Sequence, residues 1–211
     1  MSVIILGIGY GMIWLVSGLS NQNGEVVDIQ INDKDFSAGP SDGEITLVEY
    51  SDFQCPACAV WYPILNQLKS DAEIKDQLRI IYRFFPLSQI HTNAELSSRS
   101  AYAAGQQNKF WEYHDLLFEK QEEWSKLSTP LAKERFIAYA EAVGVDRERF
   151  ISDTDSSEAR KVIKDSYDKG VRLGVNSTPT FFVNGVKLRS TKSYEELKSV
   201  LLSSRATPTS Q

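Results

Sequence analysis

Apolar residues run unbroken by charge from Val3 to Leu19, with Ser17 the one polar interruption, and no charged side chain occurs before Glu25. A run of that length fits a membrane span at the short end of about 17 to 25 residues. A buried core helix fits poorly, because Gly7, Gly9 and Gly11 weaken it and no polar face is left to meet water. Val16-Ser17-Gly18 has the small residues of a cleavage site, but the basic n-region of a secretory signal is absent. The expectation over 1–20 is one N-terminal transmembrane anchor or signal segment, retention as an anchor being preferred, with the rest of the chain exported in either case.

Residues 21–43 are rich in Asn, Asp, Gly and Ser and read as a linker, with one alternating stretch over 26–31 that predicts an edge strand. The folded unit is expected over 44–205, followed by a polar tail over 206–211. It opens on Ile45-Thr46-Leu47-Val48-Glu49-Tyr50, a short β-favouring run of the buried-strand kind. Helical spacing follows in Val60, Trp61, Ile64, Leu65 and Leu68, and then a second strand over 78–85 that Pro86 stops. Over 87–174 the strand signal disappears and helices are expected at 94–106, 109–123, 131–143, 147–152 and 158–173. Asn108 and Ser128-Thr129-Pro130 stand where helix starts are wanted. Two β-favouring runs, 180–183 and 186–189, flank Asn184-Gly185, the strongest short hairpin signal. An amphipathic helix over 194–202 closes the unit. Without 87–174 the order is that of a small α/β domain, so the helices read as an insertion.

Composition narrows the function classes. With 42% hydrophobic and 24% charged residues the chain is globular, and a net charge of −5 with no dense basic patch gives it no attraction for nucleic acid. Its two cysteines, Cys55 and Cys58, form a CxxC in the first strand-to-helix turn. The carboxyl ends of strands are where α/β sheets gather reactive groups. Pro56 suits the first helical position, which places Cys55 at the cap and Cys58 one turn along. A Cys55 thiolate then receives the unpaired N–H groups of that turn and the positive end of the helix dipole, so its pKa falls. Zinc is the rival use of the pair, with His91 and His114 as further ligands. Between Cys58 and His91 stand 32 residues, and between His91 and His114 another 22, against about three to five residues between histidines in finger sites. Capping and packing suit them better.

The segments VEYSDFQCPACAVW, RFFPL, HTNA, KFWEYHDLLF and STPTFFVNG, in that order, resemble the bacterial DsbA-like thiol:disulfide oxidoreductases of the thioredoxin superfamily. The resemblance spans roughly 44–202 and implies a thioredoxin fold with an inserted helical domain. By the same resemblance Cys55 is the attacking and Cys58 the resolving cysteine, together forming a redox-active disulfide with no other cofactor and no metal. Pro179, with Thr178 before it, matches the cis-proline that faces the CxxC and helps hold substrate backbone, alongside Pro56 and Ala57. Glu49, six residues before Cys55, matches the buried acid beneath the site, and Pro63 the proline within the active-site helix. Strong oxidants of the family often carry His where this chain has Ala57.

The resemblance therefore implies an extracytoplasmic, membrane-anchored oxidoreductase facing the periplasm or cell exterior. It would oxidise cysteine pairs of exported proteins and be reoxidised by a quinone-linked membrane partner. A reductase or isomerase is the second enzyme reading. A redox-inert module that only binds extended chains beside Pro179 is the reading from another class.

Overall fold

The computed structural model describes residues 26–32, 35–189 and 193–205. The anchor or signal expected over 1–20 and the tail expected over 206–211 lie outside those residues. Among the described residues no helix is long and apolar enough to cross a membrane.

The strands β1 (Phe36–Ala38), β2 (Ile45–Ser51), β3 (Leu78–Phe84), β4 (Thr180–Val183) and β5 (Val186–Lys187) form one mixed sheet in the order β1-β3-β2-β4-β5. Central β2 runs parallel to β3, with Glu49 opposite Tyr82, and antiparallel to β4, with Tyr50 opposite Thr180. A parallel pair needs a crossover, and α1 (Pro56–Ser70) supplies it. The period of two along β2 decides what each face meets. Ile45 and Leu47 point to one side, where Leu65 and Leu68 of α1 and Leu197 and Leu201 of α8 (Tyr194–Ser204) cover them. Val48 and Tyr50 point to the other, against Ile81, Phe85 and Phe182. Glu49 shares the parity of Ile45 and Leu47, so it is directed beneath α1.

Asn184 and Gly185 join β4 to β5 with φ of 47° and 82°, the two left-handed residues that a type I′ turn requires. Gly185 also lets the chain pass close by, since a Cβ there would stand 2.6 Å from the Val27 carbonyl oxygen.

Between β3 and β4 lie six helices: α2 (Ala94–Gly105), α3 (Phe110–Glu119), α4 (Gln121–Trp124), α5 (Thr129–Ala142), α6 (Arg147–Asp155) and α7 (Ser157–Arg172). Helix α2 is their axis. Its Ala and Ser residues at 94, 97, 98, 100, 101, 103 and 104 are all buried, and these small side chains let α3, α5, α6 and α7 approach it. Tyr113, Trp124, Phe136 and Phe150 fill the space around it, each all but inaccessible to water; burial of such a side chain contributes about 1.5 to 3 kcal/mol.

Three expectations are corrected. The 21–43 linker contains β1, which pairs with β3, and Asp35 beside it forms a buried 2.8 Å ion pair with Arg83. The alternating stretch at 26–31 forms no strand, only an isolated bridge between Val26 and Val186. The helix expected over 109–123 breaks at Lys120 into α3 and α4, and Asn108, with φ of 60°, is a left-handed residue before the helix start rather than its cap.

Helix α7 approaches the sheet at Gly170, where a Cβ would stand 2.8 Å from the Phe85 ring and 2.9 Å from that of Tyr50. Gly170→Ala gains about 1 kcal/mol of helix propensity but overpacks this contact at a cost of about 1 to 3 kcal/mol. A net loss of about 1 kcal/mol is expected, read as a lower denaturation midpoint at unchanged slope.

Candidate active site

Cys55 stands just before the first turn of α1 with extended backbone, φ −72° and ψ 122°, and Pro56 begins the helix. The geometry follows from sequence: proline's fixed φ suits the first helical residue, and its missing N–H costs nothing there. Pro63 lies within α1, which continues to Ser70. Pro56 and Ala57 are exposed, whereas Cys58 is wholly buried and Cys55 only 7% exposed. The Cys55 sulfur is thus a small accessible point, less open than a helix start alone implies.

Opposite it lies the turn before β4, where the Thr178–Pro179 peptide is cis. The Cys55 thiol donates to the Thr178 carbonyl oxygen at 3.4 Å, across 123 residues of chain. Thr178 Oγ1 is buried with no partner, and its hydroxyl is among the groups that favour the Cys55 thiolate. The Cys58 thiol is the principal donor to that thiolate, followed by the Thr178 side chain and the N–H groups of Cys58 and Ala57. Together they outweigh desolvation and lower the Cys55 pKa from 9.0 to about 5.

Cys58 moves the other way. Burial pushes its pKa well above the ordinary thiol value, and its donation to Cys55 and the nearby Glu49 carboxyl add to the rise. Two thiols one turn apart are therefore driven in opposite directions, Cys55 toward its thiolate and Cys58 toward its protonated form. Glu49 is 2% exposed, and desolvation raises its pKa from 4.5 to about 7 against the opposing influence of the Ser51 hydroxyl and Lys69. A carboxyl poised near neutrality can exchange a proton with Cys58.

The loop joining β2 to α1 is held by polar side chains. Gln121 Nε2 donates to the carbonyls of Phe53 at 2.7 Å and Cys55 at 3.0 Å. Gln54 accepts from the Asn93 N–H at 2.7 Å and donates to the Ser125 carbonyl at 2.6 Å. His114, considered above as a zinc ligand, is buried among Phe53, Tyr82 and Phe118 and bonded to Asp115 at 2.8 Å. Burial lowers its pKa. Among the described residues no cluster of His, Cys, Asp and Glu is arranged to hold a metal.

A thioredoxin family model matches residues 32–202. The chain belongs to the thioredoxin family. BdbD from Bacillus subtilis has a similar fold, at a TM-score of 0.72 and 20% identity over 82% of this chain and 94% of that one. So does alpha-DsbA1 of Wolbachia pipientis, at a TM-score of 0.72 and 16% identity over 83% and 92%. In sequence, the chain is 32% identical over 184 residues to the Na(+)/H(+) antiporter NhaA 1 of Salinispora arenicola, a match covering 86% of this chain and 27% of that protein. The chain thus spans about a quarter of the length of the curated relatives it matches.

In this thioredoxin frame the structure brings Cys55, Cys58, Glu49, Thr178 and Pro179 to one place, with Pro56 and Ala57 on the adjoining surface. Asp52, Gln54 and Gln121 escape the sequence reading. Asp52 alone leaves a trace, since its Oδ1 accepts the Gln54 N–H at 2.8 Å, the local turn that an Asp two residues upstream favours.

Glu49 has a consequence for stability. Its folded pKa is raised, so the neutral acid suits the fold below about pH 4.5, and stability is lost as pH rises through about 7. The rise corresponds to roughly 3 kcal/mol. Glu49→Gln is expected to remove this loss, making the reduced variant more stable than the parent at pH 8 but not at pH 4, as denaturant titrations at the two pH values will read.

Proposed function

We propose that the chain is an extracytoplasmic thiol:disulfide oxidoreductase that oxidises cysteine pairs in exported proteins. The observation that carries the proposal is the contrast between a Cys55 pKa of about 5 and a Cys58 pKa well above the ordinary range, at a site facing Thr178 and Pro179. Export and membrane attachment rest on the apolar run from Val3 to Leu19.

In the oxidised protein a substrate thiolate attacks Cys55 Sγ, the Cys55–Cys58 bond breaks, and Cys58 leaves with the electron pair. Cys58 then takes a proton, with Glu49 the nearby acid to supply it. A second substrate thiolate attacks the substrate sulfur of the mixed disulfide and expels Cys55 as a thiolate. Its low pKa makes it a good leaving group. The substrate becomes a disulfide, the CxxC holds two thiols, and a quinone-linked membrane partner accepts the two electrons. The substrate's extended backbone lies along Thr178, beside a groove of about 250 Å³ bounded by Trp61, Asn176, Pro179, Phe181 and Lys187.

Cys55→Ser is expected to abolish oxidation of a dithiol peptide, and Cys58→Ser to accumulate mixed disulfides through Cys55. An inert peptide binder would show neither turnover nor trapped adducts. The Cys55 pKa lies between those of thioredoxin, about 7, and DsbA, about 3.5. The equilibrium potential against glutathione is accordingly expected between about −270 and −120 mV, and a value below this range would favour the reductase reading.

Ala57 sets the second expectation for the couple. A His at this position adds a donor beside the Cys55 thiolate and stabilises the reduced form. Ala57→His should lower the Cys55 pKa and raise the potential, a tenfold change in equilibrium constant being about 30 mV. Thiolate absorbance against pH and glutathione equilibration measure the two quantities.

A further inference from the structure

The shape of the loop that carries Cys55 depends on one buried carboxylate. Asp52 is inaccessible to solvent, and its side chain gathers three donors. Oδ1 takes the Gln54 N–H at 2.8 Å, and Oδ2 takes the Leu87 N–H at 2.9 Å and faces His91 Nδ1 at 2.7 Å. A carboxylate oxygen that close to a ring nitrogen is attracted only if the nitrogen carries hydrogen, so Nδ1 is the donor. The same residue reaches both cysteines through its main chain. Its carbonyl accepts the Cys55 N–H at 3.0 Å, and its own N–H is directed at the Cys58 sulfur. Asp52 therefore ties the catalytic loop to the segment after β3, and His91 is the side chain that completes the tie.

His91 is itself fixed. Its N–H donates to the Leu87 carbonyl at 2.9 Å, its carbonyl accepts the Ala94 N–H at 3.2 Å, and its side chain is 16% exposed. Without it, Oδ2 keeps one backbone donor and loses the charge-assisted one. A buried carboxylate short of a donor moves toward water or toward another donor, and the main chain of Asp52 moves with it. The N–H groups of Ala57 and Cys58 would then no longer be aimed at the Cys55 sulfur.

We infer that His91 is a positioning residue for the Cys55 nucleophile, acting through Asp52 to hold the loop in which the thiolate meets its donors. This rests on the reading of Cys55 as the attacking cysteine.

The test compares the reduced chain with His91→Leu, which removes the donor, and His91→Asn, whose amide nitrogen takes the place of Nδ1. Alkylation rate against pH, with the modified cysteine identified by peptide mass, gives the thiolate titration. Equilibration with glutathione gives the redox constant. His91→Leu is expected to move the Cys55 titration upward by about one pH unit and to make the disulfide about tenfold less oxidising, with His91→Asn within twofold of the parent. If the Leu variant does not fold, His91→Ala cuts the same bond without pressing apolar atoms on the carboxylate and carries the same expectation. A folded Leu or Ala variant that titrates and equilibrates like the parent overturns the inference, as does an Asn variant displaced as far as they are. Alkylation of Cys58 instead of Cys55 in the parent overturns the reading of the nucleophile and this inference with it.

Discussion

The hydrogen bonds that meet at the Cys55 sulfur are the interaction on which the site depends. A thiolate at the head of α1 is stabilised by the Cys58 thiol, the Thr178 side chain and two backbone N–H groups, and none of these acts unless α1 starts at Pro56 and the Thr178 turn lies against it. A reduced form stabilised in this way is an oxidising disulfide when oxidised. The rest of the fold can be understood as the scaffold that brings a helix start and a distant turn to within 3.4 Å of each other.

That scaffold has two parts with different physical demands. The sheet fixes the turn: β4 pairs with β2 through Glu49 opposite Phe181 and Tyr50 opposite Thr180, so the residues preceding β4 arrive at the end of β2 where the CxxC loop leaves it. The inserted helices fix the loop. Gln121 holds two of its carbonyls, while Asn93 and Ser125 hold Gln54. The insertion is thus more than added bulk, since Gln121 gives the Phe53 carbonyl its donor and adds a second to the Cys55 carbonyl, which also accepts the Ala59 N–H.

Burial and hydrogen-bond supply compete to set the direction of each titration. Cys58 and Glu49 are both desolvated, and both are held toward their protonated forms. Cys55 is nearly as enclosed, yet its donors reverse the sign. The polarity of the pair, one sulfur held toward its thiolate and one slow to ionise, is a difference in hydrogen-bond supply between positions one helical turn apart.

Much of this was legible in the chain itself. Pro56 after Cys55 announces the helix start, Asn184-Gly185 the hairpin, and the apolar runs at β2 and β3 the central sheet, because each depends on residues within a few positions of one another. The alternation along β2 even implies that Glu49 shares a face with Ile45 and Leu47. Only the tertiary structure decided that α1 covers that face, that β1 in the presumed linker pairs with β3, and that His91 meets Asp52 across 39 residues of chain. A three-residue strand has too few positions to display a period, and a buried carboxylate's donors come from wherever the chain happens to return. Contacts of that kind are set by packing and strand register, and local sequence carries no mark of them.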